Sequence, residues 1–537
     1  MRLFAACLFA LTLNAQIAPV TTYRGTLSRL GWYQKETILT PSNVNTNTFG
    51  KLGSFAVDGE VYAQPLYVPA VPIPKMGIFN VLYIATENDS IYAFNADLTP
   101  GGTPQMFWHA SLVNAAQGTA PVTWEDANSS TIYPTIGITS TPVIDLSTKT
   151  LYAVAKMTLS PAGQTPFDAF YLVALDIRTG QQKFGSPAQI AAAVAGTCPP
   201  LDNLNRTHFN AHTQSQRTAL SLANGNVYFG FGSIGDVPPY SGWFLAYNAA
   251  NVKQQVAAFN SVPNDLGGEY PCLGGIWMSG SAPAFDTSGN MFFATGNGEF
   301  DADTMGTDYG DSALKLDPTL HVLDWFTPWD QEGLQEYDGD LGSGGMIILP
   351  DQPGPYTHEA VAAGKGPTIY LVNRDDMGGY AGSNTGYDPN IVQALYNGSS
   401  SLGVYGLPGY FNGTLYFGGG GDVMKAYQIV NGLLTTSPTQ TTQTVFENLG
   451  TIPVVSSNGA TNGIVWAAEG SYAWNASSQT TLHAYDANNL MMELWNSTQA
   501  GSRDTGGLYL QFPLPIVANG RVYLGTRTEV DVYGLLQ

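Results

Sequence analysis

A short pattern that keeps returning decides what this chain can fold into. A strand ending in apolar residues and then Asp, Asn or another turn former occurs eight times, about 63 residues apart. The occurrences are Ala93-Phe94-Asn95, Ala174-Leu175-Asp176, Ala246-Tyr247-Asn248, Lys315-Leu316-Asp317, Leu371-Val372-Asn373, Ala426-Tyr427-Gln428, Ala484-Tyr485-Asp486 and Val532-Tyr533-Gly534. Two further segments precede each one, alternating small or polar residues with Val, Leu, Ile, Tyr and Phe, the period of a half-buried strand. Several of these pairs are joined by Asn-Gly or Ser-Gly, as at Asn412-Gly413 and Ser288-Gly289, dipeptides that accept the positive φ of a tight hairpin. A fourth strand is expected after many repeats, marked by Trp108, Phe184, Phe259, Trp325 and Trp495. Eight four-stranded antiparallel units set radially make an all-β, eight-bladed β-propeller. The even recurrence argues against two stacked β domains.

The two ends of the chain complement each other. The last repeat stops after its third strand, while an orphan strand-like segment, residues 51–57 (KLGSFAV), lies upstream of the first. Pairing that segment into the last blade would close the ring. The expected organisation is a signal peptide over 1–15, an N-terminal extension over 16–50 and a single propeller over 51–537. The signal peptide is read from Met1-Arg2, the apolar run 3–13 and a cut near Ala15. It implies export to a periplasmic or extracellular space. Cleavage leaves Cys198 and Cys272, expected to form one disulfide there. No later run is long and apolar enough for a membrane span. With 41 acidic against 20 basic residues the net charge is −21, which repels phosphate backbones and argues against nucleic acid as a partner.

Most long loops fall in the two link classes that share one propeller face, from strand four to the next strand one and from strand two to strand three. A rigid ring with one elaborated face suits a small-molecule or carbohydrate site over the channel. The richest loop there is 297–311, where Asn297, Glu299, Asp301, Asp303, Asp308 and Asp311 cluster around glycines. Oxygen-rich side chains on such a loop suit a hard cation, so Glu299, Asp301 and Asp303 are candidate calcium ligands, although the spacing is not that of an EF-hand. Asp308, Asp311 and Asp236 are candidate catalytic acids or bases, Asp236 with the competing role of capping a turn. Trp277 offers a flat stacking surface, Asn297 a polar contact, and Arg503 either a grip on a ligand carboxylate or a partner for Asp504. Asp338 and Asp340 lie in the next loop towards the same mouth. His208 and His212 lack a third ligand in the sequence, which makes a zinc site weak.

The repeats resemble those of the quinoprotein alcohol-dehydrogenase-like superfamily, in particular secreted bacterial propellers with pyrroloquinoline quinone (PQQ) type repeats and no assigned activity. The resemblance rests on residues 36–45 (ETILTPSNVN), 63–68 (AQPLYV), 85–94 (ATENDSIYAF), 136–145 (IGITSTPVID), 309–312 (YGDS) and 529–536 (EVDVYGLL). It implies a propeller along the mature chain and, for the enzymes of that superfamily, PQQ and calcium in the channel, an Asp base, a Trp floor and often a disulfide of adjacent cysteines. This chain has no adjacent cysteines. The blade motif of the superfamily is nearly present once, at Ala174-Leu175-Asp176 with Thr179-Gly180, but Phe184 stands where Trp belongs. The repeats carry over; the catalytic residues do not carry over one by one. Three functions follow as expectations: a ligand-binding propeller, a PQQ- and calcium-dependent alcohol or sugar dehydrogenase, and a scaffold for a protein partner.

Overall fold

The computed structural model describes residues 17–396, 403–447, 449–471 and 478–537, and the expected signal peptide lies outside them. The chain forms an eight-bladed propeller of mostly four-stranded antiparallel sheets. Blade one is Leu66–Ile73, Gly77–Ala85, Ser90–Asn95 and Met106–Ser111, in that order from the axis outward. Each sheet is sandwiched by its neighbours, so second strands such as Thr150–Leu159 are buried along most of their length rather than on alternate residues. That explains the near-continuous apolar runs in the sequence.

Blade eight is closed as the two ends of the chain require. Its strands Ile516–Ala518, Arg521–Gly525 and Glu529–Leu535 take Phe49–Ala56 as the outermost strand. The pairing is antiparallel, with Phe49 opposite Leu535 and Ala56 opposite Glu529. The closing strand thus starts two residues earlier than the pattern suggests. Its Phe49 ring meets the Trp495 ring edge-on at 4.9 Å, and Lys51 Nζ lies 2.5 Å from Asp531 Oδ1.

The residue after the repeated Asp or Asn has a task of its own. In five of the eight blade junctions its carbonyl accepts a hydrogen bond from a tyrosine on the second strand of the preceding blade. The pairs are Tyr83 with Ile177 (2.9 Å), Tyr152 with Ala249 (2.8 Å), Tyr228 with Pro318 (3.0 Å), Tyr416 with Ala487 (2.6 Å) and Tyr523 with Ala96 (3.0 Å). The last pair joins blade eight to blade one. A buried hydroxyl must find an acceptor, and here that need locks five of the blades to the next.

The N-terminal extension is part of the ring. Residues 20–36 wind across the channel at the end opposite the long loops. Inner strands donate backbone N–H groups to its carbonyls in turn: Tyr67 to Val20, Ile144 to Thr21, Phe285 to Leu27, Ile348 to Ser28, Tyr410 to Leu30 and Val455 to Gly31, all at 2.8–3.0 Å. Blades three and eight are held by side chains, Arg29 to Ser221 and Glu36 from the Gly520 N–H. Arg24 and Arg29 are fully buried here. The Arg24 guanidinium donates to the carbonyls of Arg29, Leu30, Leu407 and Pro408, and that of Arg29 to those of Tyr23, Thr26 and Pro283. Burial lowers both, Arg24 to about 10 and Arg29 to about 9, which leaves them charged at neutral pH.

Two hairpins run further than the repeat pattern suggests, and one expected strand marker needs correcting. Residues 69–80 are a continuation of the first hairpin of blade one, turning only at residues 74–76. The strands Thr150–Leu159 and Phe167–Asp176 likewise pair along ten residues each, which leaves only residues 160–166 as their link. Phe184 does not mark the fourth strand of blade two. It sits in a turn at φ 52° with the Lys183 amine 4.8 Å above its ring, and the strand is Ala188–Gln189.

Candidate functional site

The long-loop mouth brings together residues from successive blades. Trp277 comes from the link between blades three and four, Asn297 from the inner link of blade four, Asp338 and Asp340 from the link to blade five, and Lys365 from the inner link of blade five. Lys365 Nζ lies 2.6 Å from Asp338 and 2.7 Å from Asp340, and 5.6 Å from the centroid of the Trp277 ring. Asn297 latches both acids: its side-chain amide donates to Asp338 (2.9 Å), its backbone N–H to Asp340 (2.7 Å), and its Oδ1 accepts the Asp340 N–H (3.0 Å). Gly296 makes this approach feasible, since a Cβ there would lie 2.2 Å from Asp340 Oδ1 and 3.2 Å from the indole nitrogen of Trp277.

Electrostatics follow from this packing. Burial alone would lower the Lys365 ammonium, but the carboxylates of Asp340 and Asp338 hold it above its ordinary value. Behind them Asp311 is fully buried, with Oδ1 accepting the Leu341 N–H at 3.1 Å and Oδ2 without a partner among the described residues. Burial, reinforced by Asp340, pushes its carboxyl well above the usual range. Asp311 therefore lies behind the mouth and does not face it.

A second group lines the channel itself. The Arg217 guanidinium lies 4.8 Å from the Phe512 ring centroid and 5.8 Å from that of Tyr62, and Tyr405 stacks on Phe512 at 6.0 Å and 25°. With Gln64, Ser279 and Tyr23 some of these residues enclose a cavity of about 20 Å³, room for a single water. On blade one, Glu87 is fully buried; its Oε2 accepts the Gly137 N–H (2.7 Å) and the Thr139 hydroxyl (3.0 Å). Burial raises it to about 8, and burial together with Glu87 raises its neighbour Asp89 well above the usual range.

The candidate calcium ligands do not converge. Among the described residues no group of three or more His, Cys, Asp or Glu side chains is arranged to hold a metal ion. The Glu299 carboxylate is occupied by the backbone N–H groups of Leu266, Gly268 and Cys272 at 2.8–3.1 Å, which folds the loop beside the disulfide. Asp301 Oδ1 accepts the Asp308 N–H at 2.9 Å, and Asp303 is exposed on the same turn. Asp308 holds Asn264, whose N–H it accepts at 2.9 Å; burial raises it to about 7. Asp236 caps its turn, accepting the Ser233 hydroxyl at 2.6 Å and donating its own N–H back at 3.1 Å. Arg503 pairs with Asp504 through two nitrogens (2.8 and 2.7 Å) and donates to the carbonyls of Thr46 and Phe49. It thereby anchors the closing strand, away from Trp277. His208 and His212 bond different carboxylates, Asp202 and Asp168. The disulfide is formed between Cys198 and Cys272, 74 residues apart.

Of the expected site residues, then, Trp277 and Asn297 stand in one cluster with Asp311 directly behind it. Lys365, Arg217, Tyr62, Tyr405 and Phe512 were not singled out. Their signal was scarcity: with 20 Lys and Arg in 537 residues, a basic residue at a strand exit on the long-loop face is worth weighing.

Fold and mouth define an eight-bladed propeller with one end of its channel closed by its own N-terminus and a polar, aromatic site at the other. Among solved structures it is similar to a europium-containing methanol dehydrogenase, at 12% identity over 96% of this chain and 98% of that one, with a TM-score of 0.59. BamB from Moraxella catarrhalis is similar at 10% identity over 90% of this chain and 97% of that one, with a TM-score of 0.46. At 12% identity the likeness to the dehydrogenase shows the fold alone. No family model matches the chain, and no curated protein does.

The superfamily resemblance raises the question of PQQ and calcium. Residues of the right kind are present in Trp277, Asn297, Asp338 and Asp340. Their placement does not fit: the Asp338 and Asp340 carboxylates are paired with the Lys365 ammonium at 2.6 and 2.7 Å, and among the described residues no group of three or more His, Cys, Asp or Glu side chains is arranged to hold a metal ion. No reaction step is therefore drawn through that cofactor.

Proposed function

We propose that this is an exported binding propeller whose mouth takes a small polyhydroxylated ligand, a sugar or sugar derivative, against Trp277. The observation that carries the reading is the half-buried Trp277 ring bordered by Asn297, Asp338, Asp340 and Lys365. A flat aromatic face stacks on the apolar side of a sugar ring, while carboxylates, an amide and an ammonium exchange hydrogen bonds with its hydroxyls. Three half-buried rings, Tyr62, Tyr405 and Phe512, continue that surface across the channel. Export is supported by the Cys198–Cys272 disulfide, a bond that persists in oxidising compartments. Among the described residues no helix is long and apolar enough to cross a membrane.

The test is calorimetric titration with a panel of neutral and acidic mono- and oligosaccharides. A hit is expected to lose at least tenfold in affinity in Trp277→Ala and severalfold in Asp338→Asn, a near-isosteric change at an exposed carboxylate. Unchanged affinity in both variants would move the ligand elsewhere. The similarity to a methanol dehydrogenase supports a second reading, a quinoprotein dehydrogenase. Incubation with PQQ and calcium, scored by dye reduction with alcohols and sugars, decides it: turnover that Trp277→Ala abolishes would favour the enzyme.

A further inference from the structure

A larger cavity lies at the other end of the molecule. It measures about 300 Å³, the lower end of the range for small-molecule sites, and lies between the N-terminal extension and the inner strand of blade eight. Its apolar wall is formed by Ile17, Pro19, Trp32, Ile38, Val517 and Ala518. Two charged residues border it. The Glu36 carboxylate is consumed by the fold, Oε1 accepting the N–H groups of Ile38 (2.7 Å) and Leu39 (3.0 Å), and Oε2 that of Gly520 (2.9 Å). Lys35 is exposed and makes no ion pair among the described residues.

We infer that this cavity binds a small apolar carboxylic acid, a medium-chain fatty acid or an aryl-alkanoic acid of similar size, with its hydrocarbon inside and its carboxylate on Lys35. Size, lining and charge agree. The volume equals that of roughly ten waters at ~30 Å³ each, enough for a chain of about ten carbons. An apolar wall favours hydrocarbon over water. The ammonium at the rim selects the anion, as a flexible lysine does while its charged end stays in water. The site is independent of the mouth, because the strap of residues 20–36 closes the channel between them.

The experiment is isothermal titration of the full chain with decanoate, decanol and decylamine below their aggregation concentrations. Decanoate is expected to bind one-to-one and decylamine at least tenfold more weakly. Lys35→Ala should cost decanoate at least fivefold, leave decanol unchanged, and be rescued by Lys35→Arg. Thr37→Trp, at an exposed rim position, should block all three, and Trp277→Ala should block none. Absence of decanoate binding to the folded chain overturns the inference. So does equal decanoate affinity in Lys35→Ala.

Discussion

The two ends of the channel use the same scarce residue type in opposite ways. At the strap, Arg24 and Arg29 are fully buried, and their guanidiniums are satisfied by backbone carbonyls and hydroxyls without a carboxylate. At the mouth, Arg217 and Lys365 are half-buried and lie against aromatic faces. A planar guanidinium with several donors can collect carbonyls from inner strands that point at one axis, which an ammonium cannot do as well. The strap end is thus built to hold eight blades in register. The mouth end leaves charge and ring faces where a ligand can reach them.

The largest expected effect tests the strap. Arg29→Gln strands carbonyls of Pro283, Tyr23 and Thr26 and the Ser221 hydroxyl in a closed core, and a loss of about 5 kcal/mol in urea denaturation is expected. Retained stability would mean that the strap is decoration. Next comes the covalent tie at the mouth. Cys198→Ser with Cys272→Ser opens a 74-residue loop and is expected to cost about 4.5 kcal/mol by loop entropy. Because Glu299 folds the loop that carries Cys272, proteolysis should then cut first within residues 265–272.

The ends should also separate by pH. Burial raises Glu87 from 4.5 to about 8, so the folded chain keeps a proton that the unfolded chain releases. Its contribution is full below about 4.5 and is lost as pH climbs to about 8, so stability should fall by a few kcal/mol across that window. Urea midpoints at pH 5 and pH 8 measure it. Glu87→Gln should be nearly silent at pH 5 and should flatten the slope; an unchanged slope would assign it to other groups. Arg24 and Arg29, at about 10 and 9, do not titrate in this range.

The ring was legible in the sequence because blade patterns are local and repeated. Each supplies its own alternation and most add an Asp or Asn after the third strand, and the missing fourth strand of the eighth repeat pointed back to the orphan segment that became Phe49–Ala56. The strap was not legible. It occurs once, has no period, and bonds residues as far apart as Arg24 and Leu407. The mouth was half legible. Trp277 and Asn297 stood out as single residues, but Lys365 joined them only through the angle between neighbouring blades. The acidic loop 297–311 misled because its carboxylates find backbone N–H groups nearby: Glu299, Asp301 and Asp308 are spent shaping loops. Composition cannot distinguish such a carboxylate from one left open to a ligand.

The smallest effect on stability is expected where the functional effect is large. Arg217→Gln removes a guanidinium stacked at 4.8 Å on Phe512 and 5.8 Å from Tyr62, contacts worth about 1 kcal/mol at a half-buried site. The same change removes a positive charge that lowers Glu87, so the pH window of Glu87 should move upward. An acidic sugar bound at the mouth should lose more affinity than its neutral counterpart. If Arg217→Gln instead unfolds the chain as Arg29→Gln is expected to do, the mouth cations are structural like those of the strap, and the division of labour between the two ends fails.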